Sequence, residues 1–172
     1  MVLFTGRPLA LQSEEKQVNA ILNVWFGGTE AGAAIADVLT GKVSPTGKLT
    51  MSFPRVTGQC PIYYNHKMTG RPMSPDAWYT RYVSNYIDVL NEPLYPFGYG
   101  LSYTTYTYGD VSLNTNSMDA NGKIQASVIV TNTGAQDGEE IVQLYLRDIV
   151  RSITPPVQEL KGFKRVALKA GE

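Results

Sequence analysis

The stretch that most limits what this chain can become runs from Pro93 to Thr104, PLYPFGYGLSYT. Three tyrosines and a phenylalanine stand among two prolines and two glycines. The rings demand burial, and the prolines and glycines forbid a helix, so an ordered aromatic clasp is expected rather than a linker. Before it the chain alternates strand and helix patterns and then enters a long loop; after Tyr103 it reads as strands alone. The clasp therefore predicts a junction between two architectures, with rings buried across it.

Upstream, Val2 to Phe4 reads as the tail of a buried strand. Ser13 with Glu14 and Glu15 reads as a helix start, a hydroxyl cap followed by acids at the positive end of the dipole. Ala20 to Phe26, AILNVWF, is a nearly continuous apolar run of the kind that fills a parallel strand covered on both faces. Gly27 and Gly28 break it, and Ala31, Ala34, Ile35, Val38 and Leu39 fall at helical spacing from Thr29 to Leu39, with Gly41 as the stop. The GGTEAG run at this turn is no dinucleotide loop. Thr29 stands where the second glycine is required, and Glu30 brings negative charge to the place a phosphate would take. Lys48 to Phe53 reads as another strand, ended by Pro54.

Residues Arg55 to Glu92 show no long period but are rich in Tyr, Asn, Arg, Gly and Pro, which predicts an ordered, functional loop. Beyond the clasp, Tyr106 to Leu113, Lys123 to Asn132, Glu140 to Asp148 and Glu159 to Leu168 read as antiparallel strands of a β-sandwich. About four are present where such a fold takes roughly seven. The expected fold class is thus mixed α+β in two parts: the end of an α/β sandwich with a parallel sheet, then an incomplete β-sandwich. The expected divisions are 1–54, 55–104 and 105–172.

Fifteen basic and fifteen acidic residues cancel, which speaks against a nucleic-acid partner or an anionic membrane surface. No apolar run approaches the ~18 residues of a membrane span. One cysteine, Cys60, and one histidine, His66, can build neither a disulfide nor a zinc cluster, so no metal and no cofactor are expected.

Six segments carry a resemblance: GRPLAL at Gly6 to Leu11, AIADVLTGKVSPTGKL at Ala34 to Leu49, SFP at Ser52 to Pro54, the clasp itself, VTNTG at Val130 to Gly134, and ELKGFKRVALKAGE at Glu159 to Glu172. Together they resemble glycoside hydrolase family three, with the nearest likeness to its bacterial periplasmic β-glucosidases and β-xylosidases. The resemblance implies a three-part enzyme: a barrel bearing an aspartate nucleophile, an α/β sandwich bearing the acid/base glutamate, and a fibronectin-III-like domain. It also implies a periplasmic or secreted location and a carbohydrate substrate, an oligosaccharide or β-glycoside. This chain resembles the end of the second part and most of the third. Neither catalytic motif of the family is matched, so no catalytic residue is assigned here, and the expectation is a C-terminal portion, inactive alone, of a retaining exo-β-glycosidase.

Retaining hydrolysis needs two carboxyl groups about 5 to 5.5 Å apart. Glu139 and Glu140 are strand neighbours facing opposite ways, and Glu30 and Asp37 lie two helical turns apart. Asp88 is expected to pair with Arg81. The better functional candidates lie in and after QCPIYYNHKMTGRP, Gln59 to Pro72. Tyr64, Asn65, His66, Arg71 and Trp78 supply the flat rings and hydrogen-bonding groups that sugars require, the alternative for each being packing against a neighbouring domain. A rival reading is a free-standing carbohydrate- or protein-binding module of fibronectin-III type. A barrel domain missing from the N-terminal side is the expected partner, and uncovered apolar faces and strand edges predict self-association.

Overall fold

The computed structural model describes residues 1–73 and 80–172. Its elements, in order, are β1 (Val2–Phe4), α1 (Gln12–Glu15), β2 (Ile21–Asn23), α2 (Ala31–Leu39), a 3-10 turn at Thr57–Gln59, β3 (Tyr106–Tyr108), β4 (Ser112–Leu113), β5 (Ala126–Ser127), β6 (Val130–Asn132), β7 (Gly138–Leu146) and β8 (Glu159–Leu168). The strands pair two by two: β1 parallel to β2, and β3 with β6, β4 with β5 and β7 with β8 antiparallel. Parallel pairing precedes the clasp and antiparallel pairing follows it.

The apolar run at Ala20 predicts a strand as far as Phe26, but β2 ends at Asn23. The reason is local. The Asn23 side chain accepts a hydrogen bond from Trp25 N at 3.2 Å, a turn that competes with the ladder, and Trp25 goes over to φ +49. Phe26 is thereby turned outward and left 88 % exposed. In α1 the expected Ser13 cap is replaced by a bond from its hydroxyl to Glu14 Oε2 at 2.6 Å, and Leu11 occupies the N-cap. Helix α2 starts at Ala31 rather than Thr29 and stops as expected, Gly41 taking φ +76 while its amide bonds Val38 O.

Lys48 to Phe53 does not become a strand and bends at Thr50 and Met51. It is hydrogen-bonded to the clasp at two places, Leu49 N to Tyr99 O with Gly98 N to Leu49 O, and Phe53 N to Tyr95 O with Leu94 N to Phe53 O. Between them Pro96 has no N–H to give, and the Phe97 amide turns to the Ser52 hydroxyl instead. The strand expected from Tyr106 to Leu113 breaks into β3 and β4, and that from Lys123 to Asn132 into β5 and β6. Tyr108 faces Val130 whereas Ser112 faces Ser127, so the register slips by one residue between Gly109, which still bonds Ile129 O at 2.9 Å, and Ser112.

Among the described residues, three large side chains are fully buried: Phe53, Gln59 and Asn132. Phe53 is the hub of the clasp. Phe4, Trp25 and Tyr95 surround it with ring centroids 5.6, 5.8 and 6.3 Å away, and Tyr95 stacks on Tyr99 at 5.5 Å. Asn132 ties the strands together. Its Oδ1 accepts from Thr104 Oγ1 (2.6 Å) and Gly134 N (3.1 Å), and its Nδ2 donates to Gln136 O (2.8 Å) and Leu168 O (3.2 Å).

Candidate functional site

The long loop folds back on itself around the third buried side chain. Gln59 ends the 3-10 turn with 1 % of its surface exposed. Its Oε1 accepts from Arg55 N at 2.5 Å and its Nε2 donates to Leu90 O at 2.7 Å, while its main-chain oxygen accepts from the Tyr86 hydroxyl at 3.2 Å. Asn91 completes the return leg, accepting from Tyr86 N (3.1 Å) and donating to Ser84 O (2.9 Å). Ser84 N in turn bonds Arg71 O at 2.8 Å. The outgoing leg near Arg71 and the returning leg near Tyr82 are thus held side by side.

Of the residues expected to meet sugar, Tyr64 is used for packing. Its ring stacks on Phe97 at 4.1 Å, meets Tyr145 edge-on at 6.0 Å, and its hydroxyl accepts from Leu160 N at 3.4 Å. Asn65, His66 and Arg71 are exposed. His66 Nδ1 lies 3.1 Å from Lys67 O, to which it donates in that tautomer, and His66 O accepts from Val157 N at 2.8 Å. Trp78 lies outside the described residues. Among the described residues no hydrogen bond joins the Asn65, His66 and Arg71 side chains to one another. Arg81 and Asp88 form no ion pair; both face solvent, where such a pair gains little.

One residue that the pattern alone does not reveal is Tyr82. It holds φ +66, a region a bulky side chain enters only under constraint, and is 82 % exposed. It stands two residues before the Pro72–Ser84 bridge, hence close along the chain to the strap that carries Arg71.

Three of the other carboxylates weighed as a catalytic pair are occupied. Asp37 pairs with Lys42 (2.9 Å) and Glu139 with Arg165 (3.4 Å). Glu140 is nearly buried: Oε2 lies 3.0 Å from Lys48 Nζ, which also donates to Gly100 O, and Oε1 accepts from the Tyr108 hydroxyl at 2.9 Å. Burial first, and the Glu140 carboxylate second, raise the Tyr108 phenol far above its ordinary range. These groups line a cleft of about 460 Å³ between the clasp and β7, where Gln143 Nε2 donates to Gly98 O and Tyr145 donates to Gln143. Nothing in the alternation of β7 distinguished Glu140 from a solvated acid. Among the described residues no three His, Cys, Asp or Glu side chains gather as metal ligands, and no helix is long and apolar enough to cross a membrane.

A profile for the glycosyl hydrolase family 3 C-terminal domain matches residues 1–103. The chain belongs to glycosyl hydrolase family 3. A profile for a fibronectin type III-like domain matches residues 140–172. A periplasmic beta-glucosidase of Salmonella typhimurium is 55 % identical over all 172 residues, which make up 22 % of that protein. A beta-xylosidase of Formosa agariphila is 46 % identical, again over the whole chain and 23 % of the relative. A mutant beta-glucosidase from Listeria innocua, solved in complex with laminaribiose, superposes with a TM-score of 0.92 at 45 % identity, over 99 % of this chain and 24 % of that one. The chain spans about a fifth to a quarter of the length of these family members.

Proposed function

We propose that these residues serve within a longer retaining exo-β-glycosidase, β-glucosidase-like, that removes non-reducing-end sugars from oligosaccharides or β-glycosides. The nucleophile and the acid/base belong to polypeptide outside this segment. The chain supplies a scaffold and the strap of Asn65, His66, Arg71 and Tyr82, with Trp78 and the packed Tyr64 as further candidates. Membership of the family supports the reaction. The observation that carries the site is the bond from Ser84 N to Arg71 O, which joins the leg bearing an exposed arginine to the leg bearing an exposed tyrosine held at φ +66. A cation with several donors and a flat apolar face are what sugar hydroxyls and sugar C–H faces require.

Large apolar side chains stay open to solvent at Phe26, Ile87, Ile149 and Val150, each over 80 % exposed, which supports further protein covering them, whether other parts of the same polypeptide or a second copy. A periplasmic site of action follows the Salmonella relative by name. The test is direct. The 172 residues alone should release no aryl alcohol from an aryl β-glucoside, whereas the full-length protein should; in the latter, Arg71→Ala and Tyr82→Ala should each raise KM. Hydrolysis by the 172 residues alone would defeat the proposal.

A further inference from the structure

We infer that Gln59, although it touches no substrate, is a positioning residue for the sugar-binding strap. The inference rests on the reading of that strap given above. Gln59 is one of three fully buried large side chains, and an amide is a costly group to bury unless its geometry is needed. Here two of its bonds reach across the loop, from Nε2 to Leu90 O and from the Tyr86 hydroxyl to its main-chain oxygen. The side chain spans from Arg55 N on the outgoing leg to Leu90 O on the returning leg, and the main-chain oxygen fixes Tyr86. From there the order passes through Asn91, which holds Tyr86 N and Ser84 O, to Ser84 N on Arg71 O. The Arg55 guanidinium adds a parallel tie to Glu92 O at 3.1 Å.

The consequence is geometric. The separation of the two legs bears on where Arg71 and Tyr82 stand relative to each other, and the Gln59 side chain is the buried bridge across it, beside the exposed Arg55 tie. An apolar residue of similar volume would fill the space but hold neither leg. A shift of the strap by about 1 Å weakens sugar binding without altering reactive groups carried elsewhere. Loss of Gln59 should therefore appear as a rise in KM and not as a fall in kcat.

The experiment uses the full-length protein with an aryl β-glucoside and with laminaribiose, comparing Gln59→Leu, Asn91→Ala, Arg71→Ala and Tyr82→Ala. Gln59→Leu is expected to raise KM on the order of tenfold with kcat within about twofold of the parent, and Asn91→Ala to move KM the same way by less. A residue that merely stabilises the fold would reduce the folded fraction, lowering apparent kcat at unchanged KM. That outcome, or no change in either constant, overturns the inference. Should Gln59→Leu not fold, the half-buried Asn91→Ala decides by the same criterion. If Arg71→Ala and Tyr82→Ala raise KM while the Gln59 and Asn91 variants do not, positioning alone is refuted. If Arg71→Ala and Tyr82→Ala leave KM unchanged, the sugar-binding strap falls first.

Discussion

Replacing Asn132 with alanine removes four hydrogen bonds at once. Each joins neutral groups, and each contributes about 1 kcal/mol net, so Asn132→Ala should cost about 4 kcal/mol. The cost cannot be offset by water, because Asn132 has no exposed surface and Thr104, which loses its acceptor, is only 7 % exposed. With a urea slope of about 2 kcal/mol per molar, the unfolding midpoint read by far-ultraviolet circular dichroism should fall by about 2 M. Asn132→Asp sharpens the test. Its carboxylate would face the carbonyl oxygens of Gln136 and Leu168, so its folded pKa is raised above the unfolded value. The protonated form is then the better-folded one: the deficit should be smallest below the unfolded pKa, grow as pH rises from there to the raised folded pKa, and stay at its full size above it. A midpoint shift under about 0.5 M for Asn132→Ala, with the slope unchanged, would show that the amide is not the tie between the strands.

Lys48→Met leaves Glu140 buried without its cation and should cost about 3 kcal/mol, whereas Lys48→Met with Glu140→Gln should recover part of it; additive losses in a double-mutant cycle of urea midpoints would deny the coupling. Tyr108 has a folded pKa above its unfolded value, so its stabilising share is complete below about pH 10 and is lost as pH rises past that point. Tyr108→Phe should flatten the alkaline fall of thermal stability, and an unchanged slope would speak against the Glu140 contact. Gly98→Ala should destabilise by about 2 kcal/mol or more, since Gly98 holds φ +81 and a methyl there meets the Gln143 and Tyr145 side chains; a melting temperature equal to the parent's would contradict the close approach.

How much of this was legible in the sequence follows from what kind of signal each feature leaves. Helix α2, its glycine stop, the aromatic clasp and the parallel-before, antiparallel-after order all leave periodicity or composition, and they stand where expected. The end of β2 does not, because an asparagine side chain bonding two residues on can halt a strand inside an apolar run, and only local geometry shows that Asn23 does so. The broken strand at Gly109 is of the same kind. In the loop, residue type did not show which of the candidate side chains pack and which stay exposed. Tyr64 and Arg71 look equally suited to a sugar, and the stacking that distinguishes Tyr64 comes from a phenylalanine 33 positions away. The buried amides Gln59 and Asn132 and the buried acid Glu140 gave no sign at all, since a polar residue's burial is set by partners distant in the chain.

The ring cluster at Phe53 also bears on how the polypeptide comes together. Phe4, Trp25 and Tyr95 are far from Phe53 along the chain, so loops of roughly thirty to fifty residues must close before any of their rings touch it. The β7–β8 ribbon, by contrast, pairs neighbours across one connection and can zip early. During synthesis that ribbon emerges after the aromatic cluster, so the clasp at Gly98 stays unbraced for as long as Gln143 has yet to arrive.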